Sequence, residues 1–264
     1  MVTPLFAHPL TGVPAGVNTE ANHTAGIEIV LSGAEAKHAI SVRRMRMGEA
    51  IQLANGSGLR AVGVISSIDD SKGGQSLIMT AHSVVQEKKP DPSLVLVQAL
   101  AKGDRDELAI QAATELGASG VIPWQADRSV SRWEGAKIAK GVERWQSIVT
   151  EAAKQALRAF SPVVEQPVTT KQLASKQVAG SATEFAQVLV LDPTASQSLS
   201  TVELATSGAI AIVVGPEGGI TDHELDLLEK AGARRVHLGE SILRTSTAGM
   251  AAISVLQSRM GSWQ

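Results

Sequence analysis

Glu217 and Arg244 are the charged side chains whose surroundings point most directly to chemistry. Glu217 lies in "AIVVGPEGGITDHE", residues 211–224, where an apolar run breaks into a glycine-rich turn and then into a helix start. Turns of that kind often hold phosphate on their main-chain N–H groups. This one carries a carboxylate where a phosphate loop needs lysine, and no G-x-x-x-x-G-K-[ST] run occurs in the chain. A carboxylate beside a helix N terminus repels phosphate and tolerates a neutral or cationic ligand, while glycines let main-chain groups approach it closely. Taken alone, "GPEGG" is also compatible with a plain tight turn that leaves Glu217 in solvent. Arg244 stands in "LGESILRTSTAG", between an apolar pair and Thr245, Ser246 and Thr247, hydroxyl residues suited to capping a helix. It can pair with Glu217, hold an anionic substrate group, or simply precede a capped helix.

Other chemistries lack their residues. The dinucleotide fingerprint G-x-G-x-x-G, the nucleophile elbow G-x-S-x-G and the zinc helix H-E-x-x-H are all missing. There is no cysteine, which removes disulfides, thiolate catalysis and Cys-ligated zinc. His8, His23, His38, His82, His223 and His237 are scattered without metal-ligand spacing, so no metal is expected. A third abrupt strand end, "VLVLDPTA" at 188–195, completes the set of unusual loops.

The elements that must carry these loops follow from patterning. Residues 1–88 hold short β-like runs such as "GIEIVL" and "RAVGVISSI", with "NGSG" at 55–58 as a hairpin turn. "QEKKPDPS" at 86–93 reads as an interdomain connector, which sets the domains at 1–88 and 89–264. From Leu94 onward strands alternate with helices, which predicts an α/β fold with a parallel sheet covered on both faces. Asp104 with Glu107 reads as a capping box and Gly117 as a helix stop. A long helix is predicted from Ile138, Val142, Trp145, Val149, Ala152 and Ala156, with Trp145 in the core or at a subunit interface. The last helix is expected from Thr247 to about Ser258. In such sheets ligands bind beyond the carboxyl ends of the strands, and the three strand ends at 188–195, 213–224 and 236–249 are expected to converge at one edge.

The net charge of −2 gives no general attraction for nucleic acid, so an RNA partner needs a local basic surface. "AKHAISVRRMRMG" supplies one, with Lys37, Arg43, Arg44 and Arg46 and no acid among them. "MVTPLFAHPL" lacks a leader pattern, and no apolar stretch approaches the roughly 20 residues of a membrane span, so a soluble, cytoplasmic protein is expected.

"GPEGGITDHEL" followed by "LGESILRTSTA" closely resembles the paired signature of the ribosomal RNA small-subunit methyltransferase E family, of the SPOUT class. "HAISVRRMRMGE" at 38–49, "KGDRDELAIQAATELG" at 102–117 and "ERWQSIVTEAAKQALR" at 143–158 resemble three further family segments, in order. The resemblance implies methyl transfer from S-adenosyl-L-methionine to N3 of a uridine near the decoding centre of 16S rRNA in the small ribosomal subunit. It also implies an N-terminal PUA-like β-barrel that binds RNA, a SPOUT domain with a deep trefoil knot, and a homodimer. By position, the cofactor-binding residues would be Leu191 and Asp192, then Gly215, Pro216, Glu217, Gly218 and Gly219, then Leu238, Gly239, Ile242, Leu243, Arg244, Thr245 and Thr247. Arg244 would be catalytic, stabilising the uracil anion, with Glu217 as general base or as the group that orients Arg244. Arg105, Lys154 and Arg158 would join the basic segment in contacting RNA phosphate. The competing expectations are a SPOUT enzyme of another RNA specificity and a non-catalytic ribosome-assembly factor. The chain departs from the family pattern by having no arginine in "MVTPLF", Glu49 after Gly48 where aspartate is usual, Ser246 where glutamate is common, and Ala156 where a small polar residue is commoner.

Overall fold

A computed structural model describes residues 2–18, 26–71, 74–175 and 184–263; Met1 and His23 lie outside the described residues. Two compact units are present, Met1–Lys89 together with Ala153–Ser161, and Pro90–Ala152 together with Pro162–Gln264.

The first unit contains β1 (Leu5–Ala7), β2 (Val17–Asn18), β3 (Ile27–Ser32), α1 (Gly33–Lys37), β4 (Ala50–Ala54), β5 (Leu59–Ser71) and β6 (Gly74–Gln86). A π-helical turn, His38–Val42, follows α1. The strands form a mixed sheet in the order β1-β4-β5-β6-β2, with β3 also on β6; only β1 and β4 run parallel. Alternation along β4 and β5 sends Ile51, Leu53, Ala61 and Ile65 into a core shared with Phe6, Leu31, Leu77 and Met79.

The second unit contains β7 (Ser93–Ala99), α2 (Arg105–Glu115), β8 (Gly120–Gln125) and most of α3 (Ala136–Gln155). Then come β9 (Val163–Val164), β10 (Val168–Thr169), α4 (Thr170–Ala174), β11 (Phe185–Leu191), β12 (Ala209–Val214), α5 (Asp222–Lys230), β13 (Arg234–Val236) and α6 (Thr245–Arg259). The sheet runs β10-β8-β7-β12-β11-β13 with every pairing parallel, and β9 joins β8. Of its central strands β12 is apolar throughout and β7 nearly so, because both faces are buried. Leu94, Leu96, Ile210 and Ile212 face α2, α3 and α6, whereas Val95, Val97, Ala211 and Val213 face α4 and α5.

Several expectations are revised. Beside the domains read from sequence at 1–88 and 89–264, the structure groups Ala153–Ser161 with the first unit. There the Arg60 guanidinium donates to the Leu157 carbonyl at 2.8 Å, and Gly58 N–H donates to the Ala159 carbonyl at 3.0 Å. The capping box falls elsewhere. Asp104, at φ −102° and ψ 12°, makes no side-chain cap, while Glu107 pairs with Arg144 at 2.7 Å. It is Asp106 that turns back to accept from Ala101 N–H at 3.0 Å. A full capping box is built by Thr221 and Glu224 at the start of α5. The long helix ends at Gln155, so Ala156 lies beyond it. Trp145 is 2% exposed and meets Trp133 edge to face at 5.1 Å, a core position. Gly141 makes that packing feasible, because a Cβ there would stand 2.6 Å from the Trp133 ring. The last helix begins at Thr245, with no side-chain cap.

Candidate active site

Within the second unit, the loops that leave β7, β11, β12 and β13 at their carboxyl ends enclose one cavity of about 610 Å³. The β11 loop contributes Leu191, Asp192 and Pro193. The β12 loop adds Gly215, Pro216, Glu217, Gly219 and Ile220, and the β13 loop adds His237, Leu238, Gly239 and Ser241. Ile242, Leu243, Arg244 and Thr245 close the remaining side, where α6 starts. Two expected residues stand off this wall. The Gly218 carbonyl accepts from Arg128 at 3.0 Å, and Thr247 Oγ1 donates to the Arg244 carbonyl at 3.1 Å. Pro193, His237 and Ser241 line the cavity although they are not among the family-matched cofactor positions. All three lie inside the strand-end stretches 188–195 and 236–249, so reading those stretches whole finds them.

The glycine turn is backbone-walled. Gly219 has φ +73°, a left-handed conformation that side chains other than glycine adopt with strain, and the turn closes through Gly219 N–H to the Pro216 carbonyl at 2.9 Å. Thr221 fixes its exit: its hydroxyl accepts from Glu224 N–H at 3.2 Å while the Glu224 carboxylate accepts from Thr221 N–H at 3.0 Å. Glu224 is 1% exposed and also accepts from Asp127 N–H at 2.9 Å and the Thr170 hydroxyl at 2.7 Å. Burial raises its proton affinity, but those hydrogen bonds outweigh it and hold the carboxyl below the usual glutamate range.

Glu217 does not meet Arg244. Its Oε1 accepts from Arg105 at 2.6 Å and from Lys102 N–H at 3.1 Å, tying the loop after β7 to the glycine turn. Burial favours its neutral form; hydrogen bonds from its own backbone, Arg105 and Lys102 prevail and lower its pKa. Arg105, expected to contact RNA, is thereby part of the cavity wall. Arg244 is exposed and has no ion-pair partner among the described residues. Asp192 is 7% exposed and already engaged, accepting from Arg235 at 2.6 Å and from Thr194 N–H at 2.9 Å. Burial pushes its pKa up, and the Thr194 and Arg235 hydrogen bonds bring it below the usual value. Asp192 therefore shapes its loop and offers little spare acceptor capacity.

In the first unit, Met45 is buried at 7% exposed while Arg43, Arg44 and Arg46 around it are exposed, as is Lys37. The apolar anchor between arginines thus throws three guanidiniums to solvent. Lys154 differs: it is 7% exposed, and its ammonium donates to Glu35 at 2.6 Å. Arg158 is half-buried, and desolvation lowers its pKa. Neither presents the open cation that the basic segment does.

Two family models together define a two-part RNA methyltransferase. The RNA methyltransferase domain family matches residues 87–257, and the RNA methyltransferase PUA domain family matches residues 31–73. Ribosomal RNA small subunit methyltransferase E of Mycobacterium bovis is 40% identical over 238 residues, covering 89% of this chain and 88% of that one. Its counterpart in Bacillus subtilis is 31% identical over 233 residues, covering 86% and 88%. The chain belongs to the ribosomal RNA small subunit methyltransferase E family. Its fold is similar to the crystal structure of that methyltransferase from Neisseria gonorrhoeae bound to S-adenosyl methionine, with TM-score 0.81, 26% identity and 100% of both chains covered. It is also similar to the putative methyltransferase Lpg2936 from Legionella pneumophila in complex with the same cofactor, with TM-score 0.78, 27% identity and 98% of each chain covered.

Proposed function

We propose that this protein transfers the methyl group of S-adenosyl-L-methionine to N3 of a uridine in 16S rRNA of the small ribosomal subunit. The observation that carries the reading is the single cavity in which the glycine turn, the β11 loop and the Arg244 segment meet, in a chain of this family. The cavity fits the cofactor. Its volume of about 610 Å³ lies inside the roughly 300–1,000 Å³ typical of small-molecule sites, and its walls combine apolar side chains and the glycine turn with the charged Arg105, Asp192, Glu217 and Arg244. Gly215, Pro216, Gly219, Leu238, Gly239 and Thr245 would hold it, with Leu191, Ile242 and Leu243 as apolar wall.

The cofactor brings a methyl group already activated on sulfonium. What the chain must add is alignment and a charge to stabilise uracil as N3 loses its proton. Arg244 is the cation free to do so, on the cavity wall and unpaired among the described residues. Glu217 is better suited to organising the Lys102–Arg105 loop than to taking a proton, since a general base works best with a pKa near the operating pH and the Glu217 carboxyl is held low. Exposed Lys37, Arg43, Arg44 and Arg46 offer phosphate contacts, which position RNA and leave base choice to the second unit. Closure of the first sheet into a barrel, a trefoil knot in the second unit, a homodimer and a cytoplasmic location belong to the same reading; no described helix is long and apolar enough to cross a membrane.

The test is methylation of small subunits from cells lacking the gene, using purified protein and labelled cofactor, followed by mass spectrometry of the nucleosides. N3-methyluridine at one 16S position is expected; label on a ribose or a guanine would refute the reading.

A further inference from the structure

We infer that Gln98, which lies outside the cavity wall, is a positioning residue that locks the glycine turn to the Arg244 segment through Thr245. The inference rests on the cofactor reading above.

Gln98 ends the apolar run of β7 and is 0% exposed. Its carboxamide nitrogen donates to the Ala99 carbonyl at 3.2 Å and to Thr245 Oγ1 at 2.9 Å. Thr245 Oγ1 in turn donates to the Gly215 carbonyl at 2.8 Å. The chemistry fixes the direction of this relay. Carbonyls only accept and a hydroxyl has one proton, so the proton of Thr245 goes to Gly215 and its lone pair receives Gln98. Gly215 opens the glycine turn, and Thr245 directly follows Arg244, so one buried donor sets the spacing of two cavity walls.

The other end of the same carboxamide indicates that stability is not its purpose. Gln98 Oε1 is buried without a hydrogen-bond partner. A buried acceptor left bare costs more than a typical hydrogen bond returns, and an unbranched apolar side chain would fill the same space without it. A glutamine at this position is explained by what its donor end orients.

The experiment uses the full chain with Gln98→Met, Thr245→Val, Thr245→Ser and the Gln98→Met/Thr245→Val double variant. Calorimetry measures S-adenosyl-L-methionine affinity, and hydrogen exchange follows the amides of 215–219 in the free protein. Gln98→Met and Thr245→Val should each weaken binding about tenfold, the order expected from losing one positioned hydrogen bond. The double variant should be about as weak as either single, because both break one relay. Thr245→Ser, which keeps the hydroxyl that donates to Gly215, should keep the parent's exchange at 215–219. Exchange at 215–219 should quicken in Gln98→Met and Thr245→Val alike. Should Gln98→Met misfold, Thr245→Val against Thr245→Ser carries the test. Multiplicative losses in the double variant, or unchanged exchange in the single variants, would overturn the relay. A parent protein that bound no cofactor would instead overturn the functional reading, while the exchange arm still judged the relay.

Discussion

Glu224→Ala should be the most damaging single change in the support of the glycine turn. The carboxylate is 1% exposed and satisfies Asp127 N–H, Thr221 N–H and the Thr170 hydroxyl at 2.9, 3.0 and 2.7 Å. A hydrogen bond to a charged acceptor contributes about 1.5–3 kcal/mol, and removing the acceptor leaves buried donors bare. Because these losses overlap, a total of about 3 kcal/mol is expected, at the lower end of the roughly 3–5 kcal/mol for breaking a buried charged network. For a domain of this size that is a fall in melting temperature of roughly 6–12 °C. The pH dependence gives a second reading. The folded-state pKa of Glu224 is depressed, so its contribution is fully present above the unfolded glutamate value of about 4.3 and fades as pH falls through the lower folded value. Thermal denaturation of parent and variant from pH 7 down to about pH 3 should show a constant gap that closes only at the acid end. A difference under about 1 kcal/mol at pH 7, or a gap that widens in acid, would refute the idea that this carboxylate holds the turn.

Three further outcomes are expected. Arg244→Ala should abolish methyl transfer while calorimetry still detects cofactor and the melting temperature stays within about 2 °C, since the side chain is exposed; near-normal turnover would remove Arg244 from the mechanism. Replacing Arg43, Arg44 and Arg46 with alanine should weaken RNA binding and flatten its salt slope by up to about 0.7–0.9 per lost phosphate contact, with cofactor affinity unchanged. The Arg105–Glu217 pair should hold at neutral pH and be lost only below the ordinary carboxylate range, because the Glu217 pKa is lowered; a cofactor affinity in the parent that changes between pH 6 and 8 but not in Glu217→Gln would contradict this.

Much of the frame was legible from pattern. Continuous apolar runs at 94–100 and 209–214 can be buried only from both sides, and they are the adjacent central strands β7 and β12. The stepping of Val142, Trp145 and Val149 marks one helical face, and those residues pack against the sheet. Which charges meet was not legible. Arg244 and Glu217 have complementary charge and belong to neighbouring loops, yet Glu217 is taken by Arg105, 112 residues away in sequence. Periodicity carries no information about such pairs; they depend on strand order, which places β7 beside β12. The misplaced capping box has a local cause. Aspartate followed by glutamate three residues on satisfies the motif, but Asp104 lacks the extended backbone that lets an N-cap side chain reach back. Gln98 gave no signal at all, because a lone glutamine at the end of an apolar strand looks like the strand's first solvated residue.

The hydrogen bond from Gln98 to Thr245 joins residues 147 apart, with β8, β11 and β12 all formed between them. Closing so long a span costs conformational entropy before any contact repays it, so such pairings form late in folding. During synthesis the glycine turn leaves the ribosome well before Thr245 does, and until the final helix has been made it has nothing to close against. The glycine turn therefore reaches its closed spacing only once the helix that begins at Thr245 has docked on the sheet.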